Sequence, residues 1–171
     1  DQDELDQFIT GATDVCAAVD AQYVGGDLDT HTEFTTATTA IGAAPETGVV
    51  PRSGASPGEI LCVTGEWGRS AAACRLFSEG TAAAIKKANE LFQFLPRVAD
   101  GRALASPATA MMDSSDGLAR AVHQLAEASD VGFQLDPAAV PVHPAVETLA
   151  SDFTTQFELA AFFGEDFARQ S

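Results

Sequence analysis

Met111-Met112-Asp113-Ser114-Ser115-Asp116-Gly117-Leu118 puts two carboxylates and neighbouring hydroxyls into a single turn of chain. Thr109 and Ala110, with the two methionines, read as a short buried strand leading into it. After it, Leu118, Val122, Leu125 and Ala126 recur at helical spacing, with Ala121 between them. The acids therefore fall on a strand-to-helix turn, where backbone N–H groups point outward and the helix dipole favours anions. A carboxylate or Ser115 can cap the helix there. Asp113, Ser115 and Asp116 together exceed what one cap requires. Such a cluster of hard oxygens suits magnesium, which is held by one or two carboxylates plus substrate phosphates. A capped helix with spare surface acid and a metal-binding turn are the two readings of this octapeptide.

Downstream, Ser129-Asp130 ends the helix, and Val131, Phe133 and Leu135 alternate as a strand. Pro137, Pro141 and Pro144 punctuate a loop. A last helical stretch with Phe153, Phe157 and Leu159 leads to Phe163-Gly164-Glu165-Asp166-Phe167. Upstream, residues 81–105 are helical in composition and interrupted at Pro96, with Phe92, Phe94 and Leu95 as core candidates. Before them, Ile60 to Thr64 reads as a strand ending at Gly65, and Gly68-Arg69-Ser70 opens a helix through Ala71, Cys74, Leu76 and Phe77. Strand, glycine turn and helix form a common phosphate-binding arrangement. Gly65-Glu66-Trp67-Gly68 nevertheless matches neither the Walker nor the dinucleotide fingerprint.

Residues 43–57 are rich in glycine, proline and small side chains, and the domain boundary is placed there. Arg52-Ser53-Gly54-Ala55 lies within this segment, before the turn Pro57-Gly58-Glu59. In the first fifty residues, Leu5, Phe8, Ile9, Ala12, Val15, Cys16 and Val19 mark one face of a helix. Gln22-Tyr23-Val24 reads as a strand, Gly25-Gly26-Asp27 as a tight turn exposing Asp27, and residues 34–41 as a β-branched strand. The turn by itself is a weak motif.

Charge narrows the function. Twenty-five acids face nine bases, giving a formal net charge of −16, and only Lys86 and Lys87 are lysines. Nucleic acid is excluded as a partner, because phosphate contacts need basic patches. Spread-out acid with scarce lysine suits a salt-rich cytoplasm, where counterions screen self-repulsion. A halophilic source and an acidic mesophilic protein both fit. On so acidic a chain, Arg52 and Arg69 beside glycine-rich loops are candidate phosphate ligands. Cys16, Cys62 and Cys74 are odd in number and scattered, and read as reduced core thiols of a cytoplasmic protein without metal spacing. No apolar run reaches the length of a membrane span. His31 follows the Gly-Gly-Asp turn and reads as a solvated loop histidine, with approach to a phosphate as the alternative. His123 and His143 read as structural, and no Ser-His-Asp or Cys-His pairing is supported by spacing.

Five segments, in order, resemble thiamine-monophosphate kinase. They are Val24-Gly25-Gly26-Asp27; Arg52 to Glu59 running into Val63-Thr64-Gly65; Phe94-Leu95-Pro96-Arg97 with Gly101-Arg102-Ala103-Leu104; Met112 to Leu118; and Gly164-Glu165-Asp166-Phe167. The resemblance extends over essentially the whole chain and is most like a haloarchaeal-type member. It implies an α/β (α+β) fold of the aminoimidazole ribonucleotide synthetase type, with two domains and a homodimer formed through the N-terminal one. Residues 1–50 would be the end of the N-terminal ATP- and magnesium-binding domain, and 51–171 most of the C-terminal α/β domain. The implied activity is transfer of the γ-phosphoryl group of ATP to thiamine monophosphate, giving thiamine diphosphate. Asp27, Asp113 and Asp116 would hold magnesium; Gly26, Asp27, Arg52 and Ser115 would contact ATP; Glu165 would face the thiamine substrate. No catalytic side chain beyond these metal and phosphate ligands is implied.

Leu28 stands where the family usually has threonine, Arg69 where aspartate is common, and Phe163 where a second glycine is usual. Family members begin with a longer N-terminal segment bearing further aspartates and continue past Gly-Glu-Asp-Phe. The expectation is a truncated member, inactive alone. Two alternatives stay open: another ATP-using enzyme of the superfamily, and a non-catalytic acidic binding domain.

Overall fold

In the computed structural model, residues 2–29, 31–46, 48–150 and 156 are described. Glycine and threonine punctuation builds the central helical hairpin. Helix α2 (Arg69–Glu79) ends at Gly80, whose left-handed backbone lets its N–H reach the Phe77 carbonyl at 3.1 Å. Thr81 then caps helix α3 (Ala82–Phe92), its hydroxyl accepting from the Ala84 N–H at 3.2 Å. A one-step reversal of this kind brings the two helices side by side. Ala72 and Ala73 face Ala88 and Leu91 across the pair, small residues that let the backbones approach closely.

Val146 completes this core from helix α6 (Pro144–Leu149), and it is the largest fully buried side chain among the described residues. Proline at the first helical position and His143 at the N-cap start α6; the His143 Nδ1 accepts from the Ala145 N–H at 3.1 Å. The segment before α6 is tied to the segment before α2 by a parallel bridge between Trp67 and Val142. Trp67 donates to the Pro141 carbonyl and His143 donates to the Trp67 carbonyl, each at 2.8 Å. Helix α4 (Val98–Leu104) follows the Pro96 break, and helix α5 (Leu118–Ser129) buries Leu118, Ala121 and Leu125 and ends at Asp130 in the left-handed region. A short 3-10 turn, Pro137–Ala139, is capped by Asp136.

The amphipathic N-terminal helix is present as α1 (Gln2–Ala18), but none of its residues is buried. Its contacts include an edge-on pairing of Phe8 with Phe34, ring centroids 5.9 Å apart.

The strand expectations fail. Residues 22–24, 34–41, 60–64, 109–112 and 131–135 all lack strand structure, and Trp67–Val142 is the sole bridge among the described residues. Val24, Ile41 and Ile60 are 91%, 95% and 87% exposed. The physical cause is pairing: an extended segment becomes a strand only when a neighbour takes up its N–H and C=O groups, and β-branched composition alone supplies none. Two smaller expectations also change. Phe92, Phe94 and Leu95 are exposed; Phe92 stacks on Phe77 with centroids 5.6 Å apart. The three cysteines are unpaired, yet Cys62 is exposed and Cys16 and Cys74 are half-buried, so they are not core thiols. Partial burial pushes the Cys74 thiol pKa above its usual value.

Candidate functional site

The acidic turn enters α5 without a side-chain cap. Gly117 occupies the N-cap with φ 91° and ψ 167°, a conformation open to glycine, and it has no side chain to cap with. The polar side chains ahead of it bond one another and nearby arginines. The Ser115 hydroxyl donates to Asp113 Oδ2 at 2.7 Å. That bond, reinforced by the backbone N–H groups of Asp113 and Ser115 and by the Arg52 charge, holds the Asp113 carboxyl below its usual pKa against the opposing effect of partial burial. Asp116 pairs with Arg120 one turn into the helix, Oδ2 to Nε 3.3 Å.

Arg52 arrives from 60 residues earlier in the chain. Its Nη2 lies 3.9 Å from Asp113 Oδ1, and its Nη1 donates to the Gln124 Oε1 at 2.8 Å. The loop that carries it is fastened to the acidic turn and to α5. Met111 N–H donates to the Pro51 carbonyl at 2.9 Å, and the Ser129 hydroxyl donates to the Arg52 carbonyl at 3.1 Å. The Ala55 N–H donates to that same hydroxyl at 3.2 Å. Gly54 has φ 121°, and a Cβ there would sit 2.6 Å from the Thr109 carbonyl oxygen, so only glycine lets the two segments lie this close. Glu59 adds a further tie: its Oε2 accepts from Thr109 Oγ1 at 2.7 Å and from Ser56 N–H at 2.8 Å.

The result is a polar cleft of about 110 Å³ lined by Arg52, Asp113, Ser115, Asp116 and Arg120, among others. An open groove of about 620 Å³, bordered by Arg52, Arg120, His123, Gln124 and Glu127, lies along α5 beside it. Two carboxylates, a hydroxyl and two guanidiniums in one cleft can hold a divalent cation and phosphate oxygens together.

Of the residues expected from sequence, Arg52, Asp113, Ser115 and Asp116 are brought together. Asp27 and Gly26 do not line this cleft; Asp27 Oδ1 accepts from the Leu28 N–H at 3.0 Å within its own turn. Among the described residues no group of three His, Cys, Asp or Glu side chains converges on a common point. Glu165 lies outside the described residues. Arg69 lies outside this cleft and its guanidinium is engaged by backbone carbonyls. Its guanidinium donates to the Leu91 and Gln93 carbonyls at 2.7 and 2.8 Å and lies 5.6 Å from the Phe94 ring centroid, closing the C-terminus of α3. His31 accepts from the Glu33 N–H at 3.4 Å in its loop, and His143 is the cap of α6.

Arg120 and Gln124 were not anticipated. Their signal was available: Arg120 and Gln124, four residues apart, share one face of α5, and Asp116 lies four residues before Arg120 in the turn that leads into it.

The chain matches the family described as "AIR synthase related protein, C-terminal domain" over residues 56–165. It is 56% identical over 167 residues to a thiamine-monophosphate kinase of Halobacterium salinarum, covering 98% of this chain and 55% of the relative. A thiamine-monophosphate kinase of Methanospirillum hungatei is 35% identical over 167 residues, covering 97% of this chain and 54% of the relative. The crystal structure of thiamine-monophosphate kinase from Stenotrophomonas maltophilia superposes with a TM-score of 0.59 at 28% identity, over 69% of this chain and 40% of that one. The chain thus spans about half the length of the curated relatives it matches.

Proposed function

The chain belongs to the AIR synthase related family, and from that premise we propose that its protein is a thiamine-monophosphate kinase, transferring the γ-phosphoryl group of ATP to the phosphate of thiamine monophosphate. One observation carries the reading to this chain's own residues: Asp113, Ser115 and Asp116 share a polar cleft with Arg52 and Arg120. Transfer between two phosphates asks little covalent work of a protein. It asks for in-line positioning and for cationic groups that neutralise charge on the phosphate oxygens. The cleft has those parts.

The donor set fits magnesium, since Asp113 and Asp116 supply hard carboxylate oxygens and Asp113 is kept ionised by its Ser115 bond. Bound there, magnesium would neutralise phosphate charge during the transfer. Asp113 and Asp116 hold the cation, Arg52 binds phosphate oxygens through its fork, and Ser115 fixes the Asp113 rotamer and offers its oxygen to the nucleotide. Gly26 and Asp27 contribute to ATP binding from the N-terminal unit (residues 1–50), and Glu165 of the C-terminal unit (51–171) faces the thiamine moiety. Their support is the family resemblance. The exposed apolar segments at 22–24 and 34–41 fit an N-terminal unit that pairs across a homodimer. No described helix is long and apolar enough to cross a membrane.

The test is an assay of the protein expressed from its complete reading frame, with ATP, magnesium and a panel of phosphate acceptors. Thiamine diphosphate and ADP are expected in equal amounts, with other superfamily acceptors inert. Asp113→Asn and Asp116→Asn are each expected to lower kcat by about 100-fold or more while leaving thermal unfolding unchanged. Wild-type turnover by both variants at limiting magnesium would overturn the assignment of the site.

A further inference from the structure

Arg52 is a long, half-exposed side chain on an irregular loop, and nothing in its own segment fixes where its guanidinium points. An unrestrained arginine gives up rotamer freedom when a ligand orders it, and a restrained one has already done so. The restraint comes from α5. Gln124 accepts from Arg52 Nη1 at 2.8 Å, and five residues on, Ser129 holds the Arg52 backbone through its carbonyl and the loop again through Ala55 N–H. We propose that Gln124, supported by Ser129, is the positioning residue that orients Arg52 for the nucleotide phosphates; this rests on the functional reading above.

The chemistry of the amide matters. A neutral carbonyl oxygen accepts one N–H of the guanidinium and leaves its full positive charge for phosphate. A carboxylate in the same place would neutralise that charge and set a repelling anion beside the triphosphate. The remaining contact of Arg52, Asp113, is 3.9 Å away and too long for a hydrogen bond. The short, directional contact is therefore the one from Gln124. The same residue lines both the cleft and the groove beside it.

A double-mutant cycle on the protein from its complete reading frame tests this, with Gln124→Met, Arg52→Met and the double variant. Gln124→Met keeps side-chain length and removes the acceptor. Affinity is read by calorimetric titration with a non-hydrolysable ATP analogue, and KM is measured for each substrate. Gln124→Met is expected to weaken analogue binding about 5- to 10-fold, with KM for ATP raised and KM for thiamine monophosphate unmoved. In the Arg52→Met background the same substitution is expected to have no further effect. Ser129→Ala is expected to shift analogue binding in the same direction, which covers the case of a Gln124 variant that unfolds. Wild-type affinity in Gln124→Met alongside loss in Arg52→Met would overturn the inference. So would an equal effect of Gln124→Met with and without Arg52. A wild-type protein that neither binds the analogue nor consumes ATP would instead remove the functional reading itself.

Discussion

Glu59 shows how a single carboxylate keeps the Arg52 loop against the central turn. Its Oε2 accepts from Ser56 N–H and Thr109 Oγ1, and these bonds, in that order, hold its pKa below the usual carboxylate value, with burial opposing them weakly. The sign of the linkage follows. The folded state favours the ionised form, so the contribution is fully present above the ordinary carboxylate range and is lost as pH falls through the lowered folded value. The stability difference between wild type and Glu59→Gln, measured by denaturant unfolding, is expected to stay constant from about pH 7 to about pH 5.5 and to shrink as pH falls below about 5. A difference that grows on acidification would assign Glu59 a different role. Asp113 follows the same sign, because its Ser115 bond also favours the charged form. For Asp113 the consequence is functional: it stays a carboxylate, available to a cation, at any pH near neutrality.

At the scale of elements, the hairpin of α2 and α3 depends on how its ends are closed. The last carbonyls of α3 would otherwise face solvent, and Arg69, from the first position of α2, reaches across to those of Glu90, Leu91 and the C-cap Gln93 while lying over Phe94. A cation at a helix C-terminus also complements the dipole. Arg69→Ala is expected to destabilise the folded chain by about 1–2 kcal/mol in urea unfolding. Arg69→Lys should restore little of that loss, because a point charge cannot serve two carbonyls in fixed directions. Full rescue by lysine would show that charge alone, without the fork, is what α3 requires. The helices themselves were legible in the sequence, α2, α3, α4 and α5 each near their expected bounds, because glycine, proline and threonine mark their ends locally. The use of Arg69 was not legible. Its spacing from Leu91 in sequence says nothing about which helix end it meets.

Over the whole chain twenty-five acids face nine bases. Like charges at a net −16 repel one another, and counterions screen that repulsion within about 10 Å at 0.1 M salt and about 3 Å at 1 M. The melting temperature is therefore expected to rise from low to molar potassium chloride, as checked by scanning calorimetry. A flat or falling melting temperature would show that repulsion is not what limits stability. The ion pairs recorded at Arg52, Lys87, Arg97 and Arg120 are exposed and will weaken over the same range, but surface pairs of this kind contribute little each.

What the sequence determined by itself is what short-range chemistry determines. Gly80-Thr81 forces a reversal between two helices, and Gly117 opens α5 directly after two carboxylates, whereas Pro144, read as part of a loop, starts a helix. Asp113, Ser115 and Asp116 could be singled out because their chemistry and their closeness lie within one turn of chain. Tertiary structure decided the rest. It left residues 22–24, 34–41 and 60–64 unpaired, since pairing depends on a neighbour and not on composition. It turned Arg69 into a helix cap and left Arg52 in the cleft beside Arg120, although Arg52 and Arg69 read alike in sequence. It also chose Gln124 as the group that holds Arg52, across a separation of 72 residues. A hydrogen bond is made within about 3 Å, and only the folded chain decides which distant groups come that close.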